Sequence, residues 1–363
     1  MPSRRQVLAG LGAAVGVGLA GCTTGEADSA SASDLTEKWR TSVGPATAQA
    51  AVGSESVFVP VHSDVLALGR ESGERQWSVN AAIGTNEQLG YNATPAVGED
   101  ALYVAGGDRT VRSISLGDQS VRWTFEMDRE SLAAPVLDGS RLYVAGGEYV
   151  YCLDSDTGEE EWSRRLFGDV SGLALERDWL VATTVSGEIS VLDTSRGRGR
   201  WRASVPGSIE GAPVVRRERV AVGCWDKSVY GFSRDGAQVW STEVGLDPLL
   251  AATESAVYVN TPTETYALDW EGAEQWSVGR GEQYRTGNSP PPTESGVYAG
   301  GDALHAFDTG DSGLVPLRFD RVRFEKSLGG RVGHVTTGPS GSTLYAAVER
   351  MQTSYEYVAL EGV

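Results

Sequence analysis

The chain has 363 residues and a formal net charge of -18, with 49 acidic against 31 basic side chains, of which only Lys38, Lys227 and Lys326 are lysines. So acidic a surface repels the phosphate backbone and excludes a nucleic-acid-binding role. The three cysteines, Cys22, Cys152 and Cys224, are too few and too irregular for a disulfide framework, and the last two read as small buried hydrophobes.

In chain order, the first feature is an address. Residues 3–8 read SRRQVL, a twin-arginine pattern. The apolar run from Val7 to Ala20 is short and rich in Gly and Ala, so it does not make a transmembrane helix. Leu19-Ala20-Gly21-Cys22 resembles the lipobox of bacterial and archaeal lipoproteins. That resemblance implies a signal over residues 1–21, cleavage before Cys22, and lipid on the Cys22 thiol. A twin-arginine signal carries a folded protein across the membrane. Residues 22–34 have no apolar periodicity and read as a disordered linker. The expected location of the body is the extracytoplasmic face of the cell membrane, tethered through Cys22.

From residue 35 onward a tryptophan recurs: Trp39, Trp77, Trp123, Trp162, Trp201, Trp240 and Trp276, with gaps of 38, 46, 39, 39, 39 and 36 residues. Each closes a similar phrase, such as YVYCLDSDTGEEEW or TYALDWEGAEQW. Every repeat opens with small residues and often proline (ATPAV, AAPVL, GAPVV, SPPPT). A run of alternating apolar residues follows, then a strand ending in a Gly/Asp turn, then the Trp strand. Period-two alternation bounded by such turns marks strands. A strand-rich period of about 40 residues marks a β-propeller. The turn glycines Gly73, Gly158, Gly236 and Gly272 supply positive φ. The tryptophans read as packing between blades.

Eight repeats begin near Ala50, Ala93, Ala133, Gly172, Gly211, Leu249, Ser289 and Val335. The eighth lacks a Trp strand, while LTEKWRTSV at 35–43 is a Trp strand without a blade. The economical solution is ring closure, the N-terminal strand completing the C-terminal blade and removing both open edges. In the seventh repeat Phe319 is expected in place of Trp. The expected fold over 35–363 is therefore an all-β, eight-bladed propeller of four-stranded antiparallel blades.

The phrase A-L-D-x-x-x-G-x-x-x-W, to which Tyr266-Ala267-Leu268-Asp269 through Trp276 and Cys152-Leu153-Asp154 through Trp162 are both close, resembles the repeat of pyrroloquinoline-quinone (PQQ)-type propellers. The resemblance covers residues 35–363. One branch consists of quinone-dependent dehydrogenases. The other is non-enzymatic and includes the outer-membrane assembly lipoprotein of Gram-negative bacteria, likewise eight-bladed and lipid-anchored. The dehydrogenase branch implies adjacent cysteines over the quinone, calcium ligands beside it and an Asp base, and this chain has no adjacent cysteines. No cofactor is therefore expected, PQQ with calcium being the alternative. The acid excess with scarce lysine is similar to proteins of salt-loving archaea.

Other chemistry is sparse. Asp154-Ser155-Asp156-Thr157-Gly158 has the alternating acids of a calcium loop, but its Gly is misplaced for an EF-hand and the stretch reads as a repeat turn. His62, His305 and His334 share no metal-ligand spacing, and His305 reads as a packed strand residue. Trp225, outside the Trp column, reads as packing. No nucleophile elbow, phosphate loop or H-E-x-x-H is present.

The repeat is broken at three long connections, 81–92, 279–288 and 320–334, which join blades one to two, six to seven and seven to eight. Long loops on a rigid scaffold gather binding residues. Asn86, Glu87, Tyr91, Asn92, Tyr284, Arg285, Asn288, Arg331 and His334 are the candidate rim, suited to a protein or an anionic ligand, and Arg321, Arg323, Lys326 and Arg331 make the last loop basic. A monomeric interaction scaffold with a protein partner is the leading functional expectation. A shortened PQQ- and calcium-dependent dehydrogenase, or a sugar- or polymer-binding propeller using Tyr and Asn on the rim, are the alternatives. Cys22→Ser should release the protein from the membrane fraction, and retention with an intact N-terminus would overturn the lipid-anchor reading.

Overall fold

The computed structural model describes residues 35–62, 64–80, 94–280, 292–293, 296–307, 322–350 and 354–362, with backbone alone at 322 and 323. The described elements are all strands, arranged as eight antiparallel sheets. Blade one comprises Ala51–Val52, Ser56–Val61, Asp64–Gly69 and Arg75–Asn80, ordered from the inner to the outer edge. Blades two to six repeat it. Their second and third strands are buried throughout or nearly so, as in Arg141–Gly146 and Tyr149–Asp154. Their fourth strands alternate, as in Gly199–Ser204, where the Trp side faces inward and its neighbours face solvent.

Closure follows the expected route. Blade eight is built from Arg331–Thr337, Thr343–Arg350, Ser354–Glu361 and the N-terminal strand Thr36–Val43, which pairs antiparallel with Ser354–Glu361. Among the described residues, blade seven shows three strands, Val297–Ala299, Leu304–Phe307 and Val322–Lys326. Among these residues, the chain preceding Val297–Ala299 contributes an antiparallel bridge between Pro292 and Val297. Pro292 has no backbone N–H to give to a ladder.

Backbone register places one aromatic at the same station of every fourth strand. Trp77 pairs with Ala67, Trp123 with Ser113, Trp162 with Cys152, Trp201 with Val191, Trp240 with Gly231, Trp276 with Ala267, and Trp39 with Ala359. A register shift adjoins the station in each blade. In blade seven the occupant is Phe324, opposite Ala306, which corrects the expectation of Phe319. Phe319 itself lies outside the described residues. The segment 308–321 between the third and fourth strands displaces the station along the sequence.

The aromatics pack against the next blade. Trp39 of blade eight lies under the blade-one turn, where a Cβ on Gly73 would come within 2.5 Å of its ring. Gly158 stands over Trp123, Gly197 over Trp162, Gly236 over Trp201 and Gly272 over Trp240, at 2.5–2.8 Å by the same measure. All five glycines have positive φ. The indole Nε1 of Trp39 donates to Arg70 O (2.9 Å), that of Trp123 to Ser155 O (2.9 Å), that of Trp162 to Thr194 O (3.1 Å) and that of Trp240 to Trp270 O (3.0 Å). The core divides into eight clusters, each shared by two neighbouring blades. Each ring contributes ~2–3 kcal/mol of apolar burial to its joint.

Ion pairs add to the closing joint. Lys38 Nζ reaches Glu71 of blade one (2.5 Å) and Glu361 of blade eight (2.6 Å). Arg40 pairs with Glu37 and Glu356, both at 2.6 Å, and Lys326 Nζ donates to Leu35 O at 2.8 Å. Two of the three lysines thus hold the N-terminal strand.

Two expectations follow. Deleting residues 35–43 should abolish cooperative unfolding in denaturant melts, since it opens the ring and removes Trp39; a truncated chain that melts as sharply as the full one refutes closure. Gly158→Ala should cost ~2–3 kcal/mol through the Trp123 clash and the positive φ. Gly199→Ala, with nothing within 4 Å of its Cβ, should stay within ~0.5 kcal/mol of the parent.

Candidate interaction face

The connections from each fourth strand to the next blade, and the turns between second and third strands, emerge on one face of the ring. Backbone hydrogen bonds join the two sets: Val185 N–H to Asp169 O (2.9 Å), Trp225 N–H to Ser208 O (2.9 Å) and Gly245 N–H to Lys227 O (3.1 Å). Ser186 Oγ donates to Phe167 O (2.7 Å). From the connection between blades three and four to that between five and six, the described rim is therefore tied together by hydrogen bonds.

On consecutive blades of this rim stand four large apolar side chains turned to solvent. Phe167, in the connection from blade three to four, is 70% exposed; Val185, in a blade-four turn, 37%; Trp225, in the matching blade-five turn, 44%; and Leu246, in the connection from blade five to six, 56%. Burial of the adjacent residues explains why they cannot turn inward: Leu166, Val205 and Val244 already plug the joints beneath them. Arg202 lies 5.2 Å from the Phe167 ring centroid, where the cation meets the ring face. Acidic groups flank the crescent, among them Asp169, paired with Arg129 at 3.7 Å, and Glu188, 3.8 Å from Arg202. Among the described residues, the other two exposed large apolar side chains, Val121 and Val239, lie apart on fourth strands.

Trp225 is thus exposed, correcting its reading as packing; it opens the tight turn closed by Lys227 N–H to Cys224 O (3.1 Å), beside the buried Cys224 and Tyr230. Phe167, Val185 and Leu246 were missed. The legible signal was positional: where Phe167 stands, the neighbouring repeats have Asp128, Pro206 and Gly245.

Of the candidate rim, Asn86, Glu87, Tyr91, Asn92, Tyr284, Arg285 and Asn288 lie outside the described residues, as does Cys22. Arg331 and His334 are described. Both lie on the first strand of blade eight, because 320–334 is not one long connection: Val322–Lys326 completes blade seven, and only 327–330 intervene. Arg331 is exposed with Glu349 3.8 Å away. His334 sits at the bulge between Val332 and Val335, half-buried, its Nδ1 without a hydrogen-bond partner. Burial pushes its pKa down to about 4 from 6.5.

The remaining candidates resolve simply. Cys152 and Cys224 are free and buried, as expected, and burial raises both thiol pKa values, that of Cys152 to about 12. His305 is buried, as expected. Asp154 Oδ1 accepts from the N–H groups of Asp156 (3.0 Å) and Thr157 (2.9 Å) and from Thr157 Oγ1 (3.0 Å), so the acidic stretch is a turn closed on itself. Among the described residues no cluster of three or more His, Cys, Asp or Glu could hold a metal ion. An open cavity of about 440 Å³ lies on the opposite face, lined by Arg217, Arg219, Arg234, Val239 and Trp270 among others. Its arginines are already paired with Glu254 (2.6 Å), Glu271 (2.6 Å) and Glu218 (2.9 Å), which leaves it a solvated groove.

Fold and face together define an eight-bladed β-propeller with large apolar side chains exposed along one rim. The family model for "Outer membrane protein assembly factor BamB" matches residues 61–169 and 146–288, more than half of the chain, and the chain belongs to that family. A BamB of Burkholderia pseudomallei is 31% identical over 111 residues, which span 30% of this chain and only 29% of that relative. Among solved structures, BamB from Moraxella catarrhalis superposes with a TM-score of 0.69 at 17% identity, covering 90% of this chain and 100% of that one. Quinohemoprotein alcohol dehydrogenase from Comamonas testosteroni reaches 0.70 at 11% identity over 92% of this chain and 78% of that one. The computationally designed Ika8 protein reaches 0.70 at 12% identity, over 88% and 96%. Identities this low speak for the fold alone.

The His334 shift has a defined sign. A folded pKa below the unfolded value favours the neutral ring, so this contribution is complete above pH 6.5 and is lost as pH falls toward about 4. Relative to His334→Phe, the parent should therefore lose stability between pH 6.5 and 4, read as a widening gap in melting temperature.

Proposed function

We propose that this protein is an interaction scaffold tethered to the extracytoplasmic face of the cell membrane, and that a partner polypeptide docks on the crescent of Phe167, Val185, Trp225 and Leu246. The exposure of those four side chains on one rim carries the reading. Contiguous apolar patches on soluble surfaces mark contact sites, and aromatic anchors carry most of the binding energy in such interfaces. The flanking acids and the net charge of -18 favour a partner with basic residues around an apolar segment.

Family membership supports a scaffold over a catalyst, since the family description is that of an assembly factor. The tether rests on the twin-arginine pattern and Cys22. Among the described residues no helix is long and apolar enough to cross a membrane. The polar rim around Asn86, Tyr91, Tyr284 and Arg331 would form a second contact arc for a protein or an anionic ligand. The body acts as a monomer, and its acidic, lysine-poor composition suits a concentrated-salt setting, where screening relieves self-repulsion.

Photocrosslinkers at positions 167 and 225 should capture the same basic polypeptide, whereas one at Val239 should not; equal capture at all three would overturn the docking face. Phe167→Ser with Trp225→Ser should abolish capture while leaving stability within ~0.5 kcal/mol per site. Titration with PQQ and calcium should leave Trp fluorescence unchanged, and saturable one-to-one binding would replace the scaffold by a dehydrogenase.

A further inference from the structure

Two turns of each blade open on the face opposite the crescent, one between the first and second strands and one between the third and fourth. In blade four these are Arg177-Asp178, between Val170–Glu176 and Trp179–Thr184, and the stretch 194–198, between Glu188–Asp193 and Gly199–Ser204. The backbone follows the repeat: Asp193 N–H donates to Arg198 O (2.9 Å) and Gly197 N–H to Asp193 O (3.0 Å), as in blade three Asp154 N–H does to Glu159 O (2.9 Å) and Gly158 N–H to Asp154 O (2.8 Å). The side chains depart from it. Arg177 stands where blades one, two, three and six have Ser54, Glu99, Gly139 and Glu254. Arg196 stands where blades one to three have Ser72, Asp118 and Thr157, and Arg198 where they have Glu74, Ser120 and Glu159. Arg177 also takes a φ of 56°, in the left-handed region that Gly139 occupies at 57° in blade three. The turns by themselves give no reason for arginine at these positions.

Arg177, Arg196 and Arg198 are all exposed, and among the described residues none of them forms an ion pair. The neighbouring acids are engaged elsewhere. Glu176 turns to blade five, where its two carboxylate oxygens accept from Arg217 N–H (2.9 Å) and Glu218 N–H (3.1 Å). Asp193 is held within its own turn, accepting from Arg196 N–H (2.9 Å), Arg198 N–H (3.0 Å) and Ser195 Oγ (2.7 Å). Asp178 is paired with Arg200. The guanidinium surface continues onto the adjoining blade-five turn with Arg217, whose side chain is 65% exposed beside Glu254. A body of net charge -18 thus carries, at one place on one face, three cations that its own carboxylates leave unpaired.

The N-terminal strand enters the fold on this same face. Thr36 pairs with Glu361, at the end where third strands pass to fourth strands, and Lys38 meets Glu71 in the corresponding turn of blade one. The chain from Cys22 therefore joins the body at blade eight, four blades away from blade four in the ring. We propose that this face lies against an anionic lipid surface, with Arg177, Arg196 and Arg198 paired to lipid phosphates and the apolar crescent directed away from the membrane. The proposal rests on the membrane tether proposed above. One attachment at blade eight does not decide which face meets the bilayer, whereas a second on the same face across the ring does. Exposed turn tips reach a flat surface without needing a pocket, and a guanidinium binds phosphate oxygens in pairs. The tether supplies the local concentration that the acidic body would otherwise oppose. Concentrated salt screens the long-range repulsion between that body and the membrane far more than it weakens pairs in contact.

The test couples the full chain through the Cys22 thiol to a maleimide lipid, Cys152 and Cys224 being buried, so that it does not depend on lipidation by the cell. Vesicles of phosphatidylcholine, with or without phosphatidylglycerol, carry the chain in concentrated salt, and phenylglyoxal modification of each arginine is read by mass spectrometry. Phosphatidylglycerol should slow modification of Arg177, Arg196 and Arg198 several-fold and leave Arg129, on the crescent face, unchanged. The triple variant Arg177→Ser, Arg196→Ser, Arg198→Ser should keep the parent's melting temperature, since these side chains make no ion pair, and should lose the protection of Arg217 beside them. Equal rates with and without phosphatidylglycerol, or protection of Arg129 to the same degree, would overturn the docking face. Protection by soluble polyglutamate but not by the anionic vesicles would replace the lipid surface with an acidic polypeptide. Vesicle protection of the coupled chain, together with an unlipidated Cys22 in cells, would remove the tether and leave the lipid-binding face standing.

Discussion

The packing of one fourth-strand aromatic beneath the turn of the following blade is the contact on which the rest of the molecule depends. A blade is a small sheet with two apolar faces, and neither can be satisfied by the blade itself. Trp123 under Gly158 and Trp162 under Gly197 show the solution: a flat ring closes the gap, its Nε1 binds a turn carbonyl, and the turn approaches so closely that only glycine fits. A register shift beside each aromatic angles the strand for this contact. Stability is then shared among joints, each blade leaning on its two neighbours.

Such an array has two raw ends unless it closes. Here the N-terminal strand supplies the missing edge of the last blade and brings Trp39 into a cluster with Tyr345, Tyr357 and Val57. Lys38 and Lys326 hold the same strand through Glu71, Glu361 and Leu35 O. Exposed ion pairs contribute little and are screened by salt, so closure rests on the apolar cluster, with the charges selecting the strand position.

With the joints rigid, variation is left to positions that do not hold the ring together. Comparison of one station across the blades separates the two kinds. Phe167 stands at the rim where the neighbouring repeats have Asp128, Pro206 and Gly245, and it is left largely exposed. Arg196 and Arg198 stand on the opposite face where blades one to three have small or acidic residues, and among the described residues neither forms an ion pair. Departures of this kind, where the backbone still follows the repeat, mark positions at which the side chain answers to something other than the fold.

The strand order, the blade number, the turn glycines and the closing role of residues 35–43 were all legible in the sequence, because each is set by spacing along the chain. A recurring Trp and a Gly turn repeat whether or not the partner blade is known. Three matters were not legible. Phe324 rather than Phe319 fills the seventh aromatic station, since the segment 308–321 intervenes and only backbone pairing with Ala306 defines the register. The stretch 320–334 divides into two strands of different blades, which its basic charges disguise. The apolar crescent was hidden because exposure is not a property of a residue's place in the repeat. Leu166 and Phe167 are neighbours of similar hydrophobicity, yet one plugs a joint and the other meets solvent. Which of them turns inward is decided by the meeting of two blades and the limited room between them, and that exists only once the ring has formed.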